Sequence, residues 1–382
     1  MRVLVGIDAR YGLRREKRGI GCYIYNLLLA LAGLDNGVRY VLYVDRTAAP
    51  EEVERFSGEP FRVRCLTGGN LFFWEQALLP VAARRDRVDV LHCTSNVAPL
   101  FKVCPTVLTV HDVIEFKRAV FGDVDLSLRH RVSRLYRMGI LPRIAGRADL
   151  VITVSGFSRA DIADVLKINP AKIRVTYEGL PSKAPGGGFE ELPDKGGTCA
   201  LGPGGYILAL GALDGRKNMK VLLEAFALVK NRFPGELKLV LAGVENIELF
   251  AGRVGLEAHP YRRDITCLGF VGDDELVDLY RRCFCFVYPS LYEGFGLPLL
   301  EAFAAGVPVV ASETTAVGEI AGDAGLLFDP RRPSELAEKI LFLLENPEAG
   351  REMVDRGHER LKDFSWEKCA AQTLAVYREV AR

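Results

Sequence analysis

The sequence predicts an α/β protein made of two doubly wound parallel-sheet domains that face each other across a central cleft. Three observations predict it. Short β-rich runs alternate with longer amphipathic stretches along the chain, as expected of parallel strands joined by helical crossovers and covered on both faces. A Gly- and Pro-rich stretch from Gly179 to Gly205 interrupts the alternation, which then restarts. The length, 382 residues, exceeds what one ordinary core organises. The expected division is a Rossmann-like N-terminal domain over 1–183, a second Rossmann-like domain over 184–363, and a last helix over 364–382 that returns toward the first domain.

In the first half, strands are expected at Arg2–Asp8, Tyr40–Val44, Val88–His92, Thr106–Val110 and Leu150–Val154, with helices such as Cys22–Ala32 and Ser127–Ile144 between them. After the interruption, strands are expected at Tyr206–Leu210, Leu237–Ala242, Thr266–Leu268, Cys283–Tyr288, Pro308–Ala311 and Leu326–Phe328. Helices are expected at Met219–Phe233, at Leu297–Ala305 and from about Trp366 to Arg382. Ligands of such folds bind at the carboxyl ends of the strands, so the loops there are where chemistry is sought.

Hydrophobic residues make up 49% and charged residues 26% of the chain, a globular balance that argues against a disordered polymer. No apolar run reaches the roughly 18–20 residues of a membrane span. The N-terminus reads as a strand without a signal-peptide pattern, so a cytoplasmic location is expected. The net charge of +1 hides an asymmetry: residues 1–185 carry +9 and residues 186–382 carry −8. A basic first half suits an anionic acceptor or the inner face of a membrane; without a basic, aromatic-rich motif, nucleic acid is not expected. Nine cysteines are scattered, and Cys283-Phe284-Cys285 lacks a second pair to complete a metal site. Reduced, buried thiols are expected.

The most informative segment runs from Tyr288 to Val310. An apolar strand ends at Tyr288, and Gly294 and Gly296 allow the following loop to approach a ligand closely. Pro298 suits the first turn of a helix starting at Leu297, whose N-terminus attracts phosphate. Glu293 and Glu301 flank this turn. In one continuous helix they would lie about 12 Å apart, but the glycine turn allows both acids to line one pocket, where carboxylates bond well to sugar hydroxyls. This segment resembles that of the retaining, two-domain glycosyltransferases of family 4 (GT-B type), the group with many bacterial mannosyl- and glucosyltransferases. Their E-x7-E signature matches Glu293 and Glu301 in spacing and in the Gly294-Phe295-Gly296-Leu297-Pro298 context. The resemblance implies that Glu293 contacts the transferred sugar, that Glu301 holds the nucleotide ribose, and that the intervening backbone binds phosphate.

The remaining loops follow the same resemblance. Asp214-Gly215-Arg216-Lys217-Asn218 lies after a strand and before a helix, suited to an anion clamp. Lys217 matches the family cation for the donor diphosphate; with Ala212 where many members place arginine, Arg216 is the second. Gly19-Ile20-Gly21 follows the basic run Arg14–Arg18 and lacks the third glycine of a dinucleotide fingerprint; family members place a glycine pair here beside sugar and phosphate. His111 follows a strand, and the resemblance places it near the transferred sugar, with Asp112 either orienting the ring or contacting a hydroxyl. Backbone around Val271, after Gly269-Phe270, is expected near the nucleobase. Glu319 follows Gly318, where the family usually has proline.

Asp123-Val124-Asp125 is a D-x-D triplet set apart from the other motifs; no metal and no resident cofactor are required. Arg129, Arg131, Arg134, Arg137, Arg143 and Arg147 interleave with apolar residues at helical spacing over Leu126–Arg147, which fits an interfacial helix or one packed on its domain.

Together these point to a hexosyltransferase. It would move mannose or glucose from a GDP- or UDP-linked sugar to a glycan or glycolipid hydroxyl with retention, in cell-surface polysaccharide synthesis. A sugar-nucleotide epimerase and a non-catalytic nucleotide-sugar-binding protein are the alternatives. An NAD oxidoreductase would need the glycine fingerprint and an acid about 20 residues on, which the sequence lacks in context. Donor base, hexose, acceptor, linkage and oligomeric state are not written in the sequence.

Overall fold

The structure, a computed structural model, describes residues 3–17, 19–34, 37–68, 70–117, 128–181, 205–211, 213–233, 235–244 and 246–381. Asp123, Asp125, Ala212, the side chains of Arg129 and Arg131 and most of the Gly179–Gly205 stretch lie outside these residues. The chain divides into two compact units: Met1–Phe116 with Leu126–Pro181 and Ser365–Arg382, and Lys117–Asp125 with Ser182–Phe364.

The first unit is built on a seven-stranded sheet in the order β3-β2-β1-β4-β5-β6-β7, parallel throughout. The strands are β1 (Leu4–Asp8), β2 (Arg39–Val44), β3 (Phe61–Cys65), β4 (Val90–Cys93), β5 (Thr106–Thr109), β6 (Leu150–Thr153) and β7 (Ile173–Val175). The inner strands β4, β5 and β6 are buried at every position, with Val, Leu and Ile interspersed with His92 and threonines, as helix-covered parallel strands are on both faces. The edge strands β3 and β7 carry no such run and were not expected: β3 alternates apolar residues with Arg62 and Arg64, and β7 has three residues. The helix Trp366–Val380, capped by the Ser365 side chain, belongs to this unit. It packs on the helix Ile20–Ala32, and the Tyr377 hydroxyl lies 2.6 Å from His92 Nδ1 on β4.

The second unit holds a six-stranded sheet in the order β10-β9-β8-β11-β12-β13, also parallel. Its strands are β8 (Tyr206–Leu210), β9 (Lys238–Ala242), β10 (Ile265–Cys267), β11 (Cys285–Tyr288), β12 (Val309–Ser312) and β13 (Gly325–Phe328). Helix Met219–Arg232 buries Leu222, Phe226 and Val229 in the core, the i, i+4, i+7 stripe of an amphipathic helix. In each sheet the strand order reverses direction at one place, between β1 and β4 and between β8 and β11, and the loops leaving that place flank a natural ligand crevice. The two doubly wound sheets agree with the expected fold class.

Among the described residues, no helix is long and apolar enough to cross a membrane. Helix Leu128–Arg147 packs on its own unit through its C-terminal half, where Ile140, Leu141 and Ile144 are buried. Arg134 donates to the Glu115 carbonyl at 2.8 Å, and Arg137 pairs with the Glu115 carboxylate at 2.6 Å. Val132 and Leu135 stay exposed, and Phe72 stands edge-on to Tyr136.

Candidate functional site

The loops leaving β8 and β11, the two strands at the switch point of the second sheet, carry the acids and cations singled out above. After β8, the Asp214 carboxylate accepts the Arg216 N–H at 3.0 Å and shapes the single turn Gly215–Lys217. Asn218 follows with φ of 57°, a left-handed conformation that asparagine tolerates. Its side-chain amide donates to the carbonyls of Pro289 at 3.0 Å and Pro330 at 2.7 Å, and the Leu291 N–H donates to the Arg216 carbonyl at 2.7 Å. The β8 loop is thereby fastened to the β11 loop.

This fastening brings Arg216, Lys217 and Glu293 together. Glu293 Oε1 accepts from Lys217 Nζ at 2.7 Å, and Oε2 accepts from Arg216 Nη1 at 2.6 Å. Arg216 Nε also donates to Asp214 at 2.6 Å, and Lys217 Nζ to the Tyr288 hydroxyl at 3.2 Å. Glu293 is 9% exposed. Burial alone would raise its pKa, but Lys217 and then Arg216 outweigh that and hold the carboxyl below its ordinary value. Burial opposes the Arg216 charge as well, and Glu293 outweighs it, raising the guanidinium above its ordinary value. The result is a fixed carboxylate between two fixed cations.

The rest of the β11 loop matches the expectation in part. Helix Leu297–Ala304 starts where Pro298 predicts, with Gly296 as its N-cap at φ of 126°; this glycine needs its freedom. Gly294 does not adopt a positive φ, and the position is buried. Phe295 is buried edge-on to Phe364. Glu301, one turn into the helix and partly exposed, accepts from the buried Tyr280 hydroxyl at 3.2 Å. The first-turn N–H groups of this helix point out of the same loop end and are suited to an anion. Val271 follows the carboxyl end of edge strand β10 and is half-buried beside the exposed Phe270. Gly318 stands where an added Cβ would lie 2.4 Å from the Glu313 carbonyl oxygen, and the Glu319 carbonyl accepts from Arg360 at 2.8 Å.

In the first unit, Gly19 caps the helix Ile20–Ala32 with φ of 50°. Gly21 is fixed by packing: a Cβ there would meet the Tyr11 carbonyl at 2.9 Å. His111, beyond β5, is buried. Its Nε2 lies 3.0 Å from the Thr94 carbonyl, its backbone N–H donates to Asn96 Oδ1 at 2.8 Å, and the Tyr23 ring meets it edge-on at 4.7 Å. Burial drives its pKa down to about 4, which leaves the ring neutral. Thr94 therefore orients the imidazole, while Asp112 Oδ1 accepts the Ile114 N–H at 3.0 Å and caps the next turn.

Two features of this unit were not singled out from sequence. Glu178, just past β7, is buried with Oε1 3.9 Å from His111 Nδ1; an acid followed by glycine at the end of a strand is the sequence signal that marks it. Arg10, past β1, is 4% exposed beside Trp74 and Glu75. Among the described residues, no cluster of three or more His, Cys, Asp or Glu side chains is suited to a metal ion.

Comparison with known proteins identifies the arrangement. Residues 17–183 match the family described as Glycosyltransferase Family 4, and residues 202–360 match that described as Glycosyl transferases group 1. The chain is similar to O-antigen chain mannosyltransferase B of Escherichia coli, 32% identical over 78% of this chain and 76% of that one. It is also similar to MMP alpha-(1->4)-mannosyltransferase of Mycolicibacterium hassiacum, 31% identical over 78% and 72%. The fold is shared with sucrose-phosphate synthase from Thermosynechococcus elongatus, at a TM-score of 0.73 and 21% identity over 99% of both chains. It is shared too with Anabaena HepE in complex with UDP-glucose, at a TM-score of 0.68 and 18% identity over 99% of this chain and 100% of that one. With both sheets, both family matches and the acid–cation loops in agreement, this chain belongs to the two-domain glycosyltransferases of family 4 and is a sugar-transferring enzyme.

Proposed function

We propose that this enzyme transfers a mannosyl residue from a nucleoside diphosphate sugar, GDP-mannose first among candidates, to a hydroxyl of a glycan or glycolipid acceptor, with retention at the anomeric carbon and in polysaccharide synthesis. The observation that carries this reading is the Glu293 carboxylate fixed between Lys217 and Arg216 beside the N-terminus of helix Leu297–Ala304. Two cations and a helix end form a preorganised seat for a departing diphosphate. The mannosyl assignment is supported by the names of the two relatives above.

In this reading Glu301 holds the ribose, backbone at Gly294–Leu297 and at Gly19 and Gly21 takes phosphate and sugar, and the chain near Val271 lies by the base. Glu293 and His111 bind the transferred hexose. Glu293 is held by two cations and is a poor nucleophile, which favours a path without a covalent enzyme intermediate. The departing phosphate accepts the proton of the incoming hydroxyl, and Lys217 and Arg216 stabilise its charge. No metal and no resident cofactor take part. The enzyme works in the cytoplasm, with the exposed Val132 and Leu135 among arginines as its contact with an anionic membrane.

Calorimetry of the full chain against GDP-mannose, UDP-glucose, GDP, UDP and NAD tests the donor. Selective binding of one diphosphate sugar, weakened by Glu301→Ala, is expected; binding of NAD, or of no nucleotide, would refute the reading. The anomeric configuration of the product, read by NMR, tests retention.

A further inference from the structure

Glu178 is a buried acid without a hydrogen-bonding partner among the described residues. Its side chain is 7% exposed, and it faces His111, whose Nδ1 lies 3.9 Å from Oε1. That is too long for a hydrogen bond. Leaving a carboxyl buried and unsatisfied is costly, and such groups cluster where a protein binds or reacts.

His111 shows what the gap is suited to. A carbonyl oxygen only accepts, so the contact with the Thr94 carbonyl at 3.0 Å places the ring proton on Nε2. Nδ1 then carries a lone pair and faces the acid. The Asn96 bond to the backbone N–H and the Tyr23 ring hold the imidazole in place. Both groups sit at the carboxyl edge of the sheet, just past β5 and β7, where a ligand is expected. One hydroxyl oxygen about 2.8 Å from each atom would span the gap at close to a right angle. It would donate its hydrogen to Nδ1 and accept one from the carboxyl. Burial pushes the Glu178 carboxyl up to about 8, so at neutral pH it has a hydrogen to give, as other buried acids kept neutral do.

We propose that Glu178 and His111 together bind one hydroxyl of the transferred hexose, and that Glu178 is a specificity-determining residue for that hydroxyl. This rests on the reading above that His111 contacts the transferred hexose. A site built to bond a hydroxyl rejects the analogue lacking it, because its own polar groups are then left unpaired.

The test compares the full-length wild type, Glu178→Ala and Glu178→Gln with GDP-mannose and its 2-, 3-, 4- and 6-deoxy analogues, measuring kcat/KM, GDP affinity and melting temperature. Glu178→Ala is expected to lose about 10- to 100-fold in kcat/KM on GDP-mannose. It should lose a similar factor on three deoxy donors and almost nothing on the fourth, which identifies the hydroxyl. Glu178→Gln, which can still donate and accept, should stay within about 5-fold of wild type. GDP affinity should be unchanged, and melting temperature unchanged or higher, since no native hydrogen bond is removed. An equal loss on all five donors, no loss at all, or a fall in melting temperature that parallels the loss in activity would overturn the assignment while leaving the donor site standing. A wild type that binds GDP yet turns over no mannosyl donor would overturn the mannosyl reading, and this assignment with it.

Discussion

Neutralising Glu293 should weaken the fold and tighten diphosphate binding at once. In Glu293→Gln, Arg216 and Lys217 lose the carboxylate at 2.6 and 2.7 Å that compensates them. Breaking a fully buried pair costs about 3–5 kcal/mol. Here Arg216 keeps Asp214 at 2.6 Å, and the two cations are 27% and 16% exposed, so a cost nearer ~1.5–3 kcal/mol is expected after allowance for solvent screening. For a unit of this size that lowers the melting temperature by roughly 4–10 °C. A diphosphate bound to the same cations would sit about 6 Å from the carboxylate, and at an effective dielectric of about 20 their repulsion is about 3 kcal/mol. Discounted by half for residual water, its removal should tighten GDP binding about 10-fold.

Saturating GDP should therefore raise the melting temperature of the variant more than that of the wild type, while mannosyl transfer falls. The pH dependence follows from sign. Glu293 has a folded pKa below its ordinary 4.5, so its contribution is fully present above that value and is lost as pH falls through the folded pKa. The stability gap between wild type and variant should be largest near neutral pH and should close in acid. Scanning calorimetry with and without GDP from pH 3 to 8 reads both effects. A variant of unchanged stability, or one that binds GDP more weakly, would refute the idea that the carboxylate and the diphosphate share these two cations.

Further outcomes are expected. Glu301→Gln keeps an acceptor for the buried Tyr280 hydroxyl, so its melting temperature should hold while affinity for GDP falls about 10-fold by calorimetry, as for loss of a charged hydrogen bond; an equal loss for inorganic pyrophosphate would argue against a ribose contact. Burial drives His92 down to about 3 and His111 to about 4, so each ring should cost stability as pH falls below about 6.5, by up to about 1.4 kcal/mol per pH unit, while the Glu178 carboxyl, held up to about 8, contributes with the opposite sign over the same range. Urea titrations of wild type and His92→Gln therefore read the share of His92 as their difference: the advantage of the wild type, which includes its bonds to Tyr377 and Thr109, should shrink as pH falls below about 6.5. Replacing the exposed Val132 and Leu135 by serine should leave melting unchanged and reduce co-sedimentation with phosphatidylglycerol vesicles several-fold; equal pelleting of both proteins would exclude this helix as the contact.

Legibility in the sequence followed the range of the interactions involved. Strand β11, the glycine loop and helix Leu297–Ala304 are one continuous local signal, an apolar run, then Gly296, then Pro298, and they form where that signal places them. The β8 loop was legible as a source of cations for the same reason. Strands β3 and β7 were not, because at a sheet edge neither needs the apolar run that marks a strand buried on both faces. Glu178 was passed over because a single acid after a three-residue strand has no periodicity; its meaning comes from a histidine 67 positions earlier in the chain. The resemblance implies that Gly21 lies beside sugar and phosphate, whereas its packing against the Tyr11 carbonyl is a contact across a loop that no spacing rule encodes.

The same limit applies to Arg216, which stands in for the arginine that many family members place at the position of Ala212. Adjacent residues on a regular helix or strand point apart, so Arg216 and Lys217 would not both reach one carboxylate from either. The Asp214-capped turn removes that constraint, and Asn218, left-handed and bonded to the Pro289 and Pro330 carbonyls, holds the turn against the β11 loop. Both cations then meet Glu293 from opposite oxygens. Two cations held side by side at a partly buried loop end require a counter-charge, and Glu293 is that charge. In the proposed reading the carboxylate that resembles a sugar-binding residue also preorganises the seat of the leaving group, so a variant at Glu293 should report on both roles together unless diphosphate affinity and transfer rate are measured separately.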